Sequence, residues 1–195
     1  HDLRAPLRHI DGFAGLLNLG YAAFFAIGAY TYALLNLNAG LPFWAGLPFS
    51  IIVCGFSGLV LGFPTLRLRG DYLAIVTLGF GEIVRIALNN LDTITGGPNG
   101  LLGIAHPNIV LWKSFNFGVL TWPYYYLVTA MVILVAMVVK RLENSRLGRA
   151  WVAIREDEVA ANAMGIDTTW TKLLAFIIGA AIAGLAGAVF AAKQG

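Results

Sequence analysis

Charge is scarce in this sequence of 195 residues. Only 12% of it is Asp, Glu, Lys or Arg, against 58% hydrophobic residues and a mean hydropathy of +0.76. A soluble domain of this length exposes more charge, so the composition excludes that class and indicates a polytopic membrane protein. Cysteine is nearly absent: Cys54 stands alone inside an apolar run, which excludes an internal disulfide and a thiolate metal site built within the chain. Paired carboxylates, a histidine cluster and a nucleophile–base constellation are missing too. That weighs against a membrane enzyme using Glu82, Arg85 or His106 as acid–base groups, and His106 reads as a solvated loop residue. No cleavable signal pattern opens the chain. No Gly-Lys-Ser/Thr follows the glycines at 96–100, so a nucleotide-phosphate loop is excluded. The net charge of +3 reflects loop arginines and gives no reason to expect nucleic acid.

What is present is long apolar runs. Five stretches approach the ~20 apolar residues that a helix needs to cross a hydrocarbon core: residues 14–37, 43–63, 73–91, 119–139 and 173–192. The expected architecture is therefore all-α and polytopic, with a transmembrane domain over 13–195 and a polar tip over 1–12. The first span is uncharged, and its Gly20, Ala22, Ala26 and Gly28 allow close helix approach. The second holds the small pair Gly58 and Gly62, and the fifth repeats small residues every four positions at Gly179, Ala183 and Gly187.

The third span differs. Glu82, Arg85 and Asn89 fall three and four residues apart, on one stripe with Gly79. Ionisable groups at membrane depth are costly and usually face protein or a water-filled path. Two readings stand: a stripe lining a translocation route, or a self-neutralising Glu82–Arg85 pair that joins helices or lies near the outer surface.

Among the connections, Pro64–Tyr72 is short and basic, and residues 92–122 form a longer loop containing Thr95, Gly96, Gly97, Pro98, Asn99 and Gly100. That run cannot continue a helix and predicts tight turns. Trp112, Trp122 and Tyr124–Tyr126 suit an interfacial belt. The connection at 140–172 holds nearly half of the charged residues of the chain and must sit in water. Within it Leu147, Ala150, Trp151, Ile154, Val159, Ala161 and Met164 recur roughly at helical spacing, which predicts a short amphipathic helix or helix pair ending at Gly165. A polar helix between two spans suits a docking element for a soluble partner; the alternative is a basic loop that only sets topology. If residues 1–12, 64–72 and 140–172 share one side, the other side holds only Lys113 and Lys193, so the positive-inside rule puts the N-terminus inside and residue 195 outside.

Two resemblances extend this reading. His1–Leu7, HDLRAPL, resembles the phosphoacceptor box of sensor histidine kinases, which implies His1 as a phosphoacceptor with Asp2 assisting; the nucleotide-binding remainder of that pattern is missing. From about residue 12 onward the chain resembles LivM-type permease subunits of branched-chain amino acid ABC importers. The matching stretches are GLLNLGYAAFFAIGAYTYALL at Gly15–Leu35, LRLRGDYLAIVTLGFGEIVRI at Leu66–Ile86, TGGPNGL at Thr95–Leu101 and the long run Arg141–Ala191.

That resemblance implies a subunit of an ATP-driven importer in the bacterial cytoplasmic membrane. Its expected partners are a second permease, two cytoplasmic ATPases that hold ATP and Mg, an external amino-acid-binding protein, and membrane lipid. No cofactor is expected on this chain itself, and the cargo would be leucine, isoleucine or valine, with urea or short amides as the related alternative. The segment Gly148–Gly165 would couple to the ATPases through Gly148, Arg149, Arg155, Glu156, Asp157, Glu158, Ala160, Ala161 and Gly165. Its Ala160-Ala161-x-x-x-Gly165 is similar to the EAA loop of ABC permeases, with Val159 in place of the glutamate and Glu158 one residue displaced. Helices expected before Gly15 and after Gly195 are missing and the chain opens on His1. Gly12–Leu17 fits both families, so a chimeric or truncated permease sequence, incomplete at both ends, is expected.

Overall fold

A chain this apolar has few ways to satisfy its backbone, because hydrocarbon offers no hydrogen bonds and only helices close them within one segment. The computed structural model describes residues 20–65, 71–104 and 121–194, and these are helix joined by short turns, with no strand among them. In chain order the helices are α1 (Tyr21–Ala39), α2 (Phe43–Thr65), α3 (Asp71–Asn90), α4 (Asp92–Thr95), α5 (Thr121–Glu143), α6 (Arg146–Glu156), α7 (Glu158–Ala163) and α8 (Thr168–Gln194). Among the described residues α1, α2, α5 from Pro123, and α8 are long and apolar enough to cross a membrane. The protein is an all-α polytopic membrane protein. The 20-residue α3 is about 30 Å long at 1.5 Å per residue and carries Glu82 and Arg85 in its second half.

Helix ends shift from the expected spans. Lys140, Arg141 and Glu143, placed by sequence in the loop, form the last turn of α5, and Lys172 lies within α8 rather than before it. Charged groups do not break a helix, and basic residues at a C-terminal turn are favoured by its dipole. Asp167 supplies the actual start of α8: its Oδ1 accepts from Trp170 N at 2.9 Å. The part of the first span before residue 20, the loop 66–70, the tip 1–12 with His1, and the segment 105–120 with His106 and Trp112 lie outside the described residues.

The core forms where α8 packs against α1 and α2 at once. A Cβ on Gly28 would overlap the Gly184 carbonyl, one on Gly184 would strike Cys54, and one on Gly187 would meet the Phe25 carbonyl. On the α2 side, a Cβ at Gly58 would lie 2.7 Å from Ala180 Cβ and one at Gly62 would lie 2.8 Å from Leu173 Cδ1. These approaches replace the hydrophobic driving force that helices lack in lipid. Of the small residues expected to line α8, Gly187 is in backbone contact and Gly179 packs under the Tyr21 ring. Gly184, off that stripe, is in close contact with both neighbouring helices, with Gly28 of α1 on one side and Cys54 of α2 on the other. Cys54 Sγ donates to Phe24 O at 3.4 Å, tying α2 to α1 there. The Ser50 hydroxyl, buried at the same level, has no hydrogen-bond partner among the described residues. Farther along, Tyr32, Phe43, Leu47, Tyr124, Leu127 and Val189 form a second packed layer, where Tyr124 Oη donates to Ala192 O at 2.6 Å and brings α5 onto α8.

Two substitutions one helix apart should behave oppositely. Gly184→Ala overpacks a backbone crossing and is expected to destabilise by about 1–3 kcal/mol; Ser50→Ala deletes an unpaired buried hydroxyl and is expected to be neutral or stabilising. Heat-unfolding midpoints of the detergent-purified protein test this, and equal shifts for the two variants would contradict the packing described.

Candidate functional site: a charged helical hairpin seated on α8

The connection between α5 and α8 is built by three caps. Ser145 turns the chain out of α5: its Oγ donates to Leu142 O at 2.5 Å and accepts from Gly148 N at 3.3 Å, which starts α6. Gly148 lies so close to the end of α5 that a Cβ would meet the Glu143 carbonyl. Asp157, in an extended conformation, ends α6 and starts α7. Its Oδ1 accepts from Val159 N at 2.8 Å and Ala160 N at 3.1 Å. Gly165 closes the unit with φ +84°, a left-handed conformation that favours glycine, and Ile166 N donates back to Ala161 O at 3.1 Å. Residues 147–164 are thus a helix pair broken at Asp157.

The inward side of the pair is held to α8 in two places. From α6, Trp151 is buried beside Ile154 and its Nε1 donates to Thr171 O at 2.8 Å. From α7, Glu158 Oε1 lies 2.6 Å from Lys172 Nζ, in a pair whose lysine side chain is only 10% exposed. Ala161 is buried beside them.

The outward side carries most of the residues expected to couple. Arg149, Arg155, Glu156, Asp157, Ala160 and Gly165 are exposed, whereas Gly148 and Ala161 are buried and Glu158 is half-buried. The Arg149 guanidinium donates to Asn144 O at 3.2 Å, bracing the turn. Val159 and Met164 depart from expectation. Sequence spacing assigned them to the buried face, but they are 71% and 84% exposed. The break at Asp157 restarts the helix in a new phase, so periodicity counted from Leu147 no longer holds beyond it. The result is a small surface mixing both charge signs with two bare apolar side chains, suited to docking and carrying no arrangement for bond chemistry.

The α3 stripe lies elsewhere. Arg85 Nε donates to Glu82 Oε2 at 3.0 Å and Nη2 to Oε1 at 2.5 Å, so the charges neutralise each other. Their side chains are 63% and 53% exposed, Asn89 is exposed, and a Cβ at Gly79 would meet nothing. The inward face of α3 is Thr77 and Phe80, the latter's ring 5.7 Å from that of Phe24 and tilted 41° to it. Among the described residues the pair therefore joins no two helices, and it faces away from the core they form. The run after α3 is a self-contained turn. Thr95 Oγ1 lies 2.5 Å from Leu88 O and 2.9 Å from Leu91 O and accepts from Gly97 N. Gly96, Gly97 and Gly100 all take positive φ, and Pro98 and Asn99 are exposed.

Residues 9–195 match the family model described as branched-chain amino acid transport system permease component. The chain is 50% identical over 97% of its length to the high-affinity branched-chain amino acid transport system permease protein LivM of Salmonella typhimurium, covering 49% of that protein. It is 49% identical over 97% of its length to the protein of the same name from Escherichia coli, again covering 49%. The chain thus spans about half the length of these relatives. No solved structure matches it.

Loss of the central cap should be measurable locally. Asp157→Ala is expected to cost about 1 kcal/mol, seen as roughly five-fold faster hydrogen exchange at Val159 and Ala160, while Asp157→Asn keeps the native rate. Unchanged exchange in the alanine variant would remove Asp157 as the cap.

Proposed function

The chain belongs to the family of permease components of branched-chain amino acid transport systems, and from that premise we propose that it is a membrane subunit of an ATP-driven importer whose cargo is leucine, isoleucine or valine. As a permease component it works with other subunits and is not itself a catalyst. The proposed partners are a second permease, two cytoplasmic ATPases carrying ATP and Mg, and an external binding protein that delivers the amino acid. The single observation carrying the mechanical part is the helix pair α6–α7, which is capped at each turn and held to α8 while presenting Arg155, Glu156, Asp157, Val159 and Met164 outward. A docking element of this form receives the motion of a soluble ATPase and passes it to the spans. The excess of Lys and Arg in residues 1–12, 64–72 and 140–172 favours placing the pair in the cytoplasm and residue 195 outside. The branched-chain amino acid transport role named for the two relatives at about half identity favours that cargo over urea or short amides. The Glu82–Arg85 pair, with Asn89 and Gly79, is proposed to face the second permease or the route between the two.

The test is replacement of Arg155, Glu156 and Asp157 together by a Gly-Ser-Gly turn in the complete transporter. Leucine uptake is expected to fall roughly ten-fold or more, the scale of a coupling free energy of 1–3 kcal/mol, while ATP hydrolysis continues. Uptake at the parent rate would contradict the assignment.

A further inference from the structure

We propose that Trp151–Thr171 and Glu158–Lys172 form a two-point joint that makes the α6–α7 pair and α8 move as one body, so that Lys172, Glu158 and Trp151 are positioning residues for coupling. The proposal rests on the coupling role given above for α6–α7. One bond comes from each helix of the pair: the Trp151 indole N–H reaches Thr171 O at 2.8 Å, and the Glu158 carboxylate reaches Lys172 Nζ at 2.6 Å. They end on adjacent residues of α8. A single contact would let the pair swivel; two contacts from separate helices fix its orientation.

The joint is also difficult to open. Lys172 is buried at the foot of α8 among Thr168, Thr171 and Leu173, and removing the partner of a nearly buried charge is far more costly than the pair is worth in stability. A link of that kind stays closed through a cycle. The direct continuation of α8 from Lys172 runs through Phe176 and Ala180 to Gly184, where the helix is in backbone contact with α1 and packed on α2. A load applied at Asp157 therefore reaches that crossing, about 18 Å along the helix at 1.5 Å per residue, without passing through a flexible segment. Neither Trp151 nor Lys172 belongs to the exposed surface that would touch the ATPase, so their effect on coupling is separable from docking.

The experiment measures leucine transported per ATP hydrolysed by the complete transporter in proteoliposomes. Lys172→Glu is expected to lower this ratio several-fold, and the double variant Glu158→Lys with Lys172→Glu, which restores opposite charges, to recover most of it. Trp151→Phe, which keeps one aromatic six-membered ring and loses the pyrrole portion with its N–H bond, is expected to lower the ratio with complex yield unchanged, and it keeps the question answerable if Lys172→Glu fails to assemble. Parent ratios in Trp151→Phe and in whichever charge variants assemble, with the Gly-Ser-Gly turn still uncoupling, overturn the joint and leave the coupling reading intact. Parent uptake in the turn variant as well overturns both.

Discussion

The fold depends on backbone touching backbone at Gly184. In lipid, apolar side chains gain nothing by leaving one apolar surround for another, so helices hold together where their atoms can come closest. Gly28 and Gly187 bring α1 against α8, and Gly58 and Gly62 bring α2 against it. Gly184 is the place where all three helices meet, with Cys54 and Ser50 of α2 on one side and Gly28 of α1 on the other. Bulk at that point would push apart two interfaces together. The peripheral position of α3 and α5 follows from the same rule: most of their outward residues, such as Ile83, Ile86, Ile133 and Leu134, are bare apolar side chains that suit lipid or another transmembrane subunit.

The same helix that organises the core also carries the hairpin. Its foot holds Thr171 and Lys172, and its middle holds Gly184. The hairpin and the core packing thus lie toward two ends of one helix. The polar chemistry of the chain is arranged around that element too. Ser145, Asp157 and Asp167 each set a helix start, and Glu158 neutralises the one lysine buried at the helix foot. Arg155 and Glu156, beside Asp157, remain on the surface, where a soluble partner can meet them.

Much of this was legible in the sequence because hydropathy and helix period report directly on lipid exposure. The runs at 43–63 and 173–192 fall within α2 and α8, the run at 73–91 overlaps α3 to Asn90, and the break at Gly165 coincides with the end of the hairpin. Four features were not legible. Gly184 lies off the four-residue stripe of Gly179, Ala183 and Gly187, and a stripe cannot show that one helix face serves two neighbours. The reset of phase at Asp157 exposed Val159 and Met164, since a capping carboxylate can end one helix as readily as it begins the next. The direction of the Glu82–Arg85 stripe depends on which face of α3 is occupied by Phe24 and its neighbours, a tertiary fact with no local signal. The bonds Trp151–Thr171 and Glu158–Lys172 are tertiary in the same sense; the residue types were visible and their partners were not.

The most direct measurement is photo-cross-linking from position 159 in the assembled transporter, with a benzophenone amino acid replacing the exposed Val159 and another placed at Ile133 on the bare face of α5. A covalent product between position 159 and an ATPase subunit, with none from position 133, is the result predicted for a hairpin that receives the motor. Cross-links from position 159 only to lipid or to a membrane-embedded subunit would contradict it.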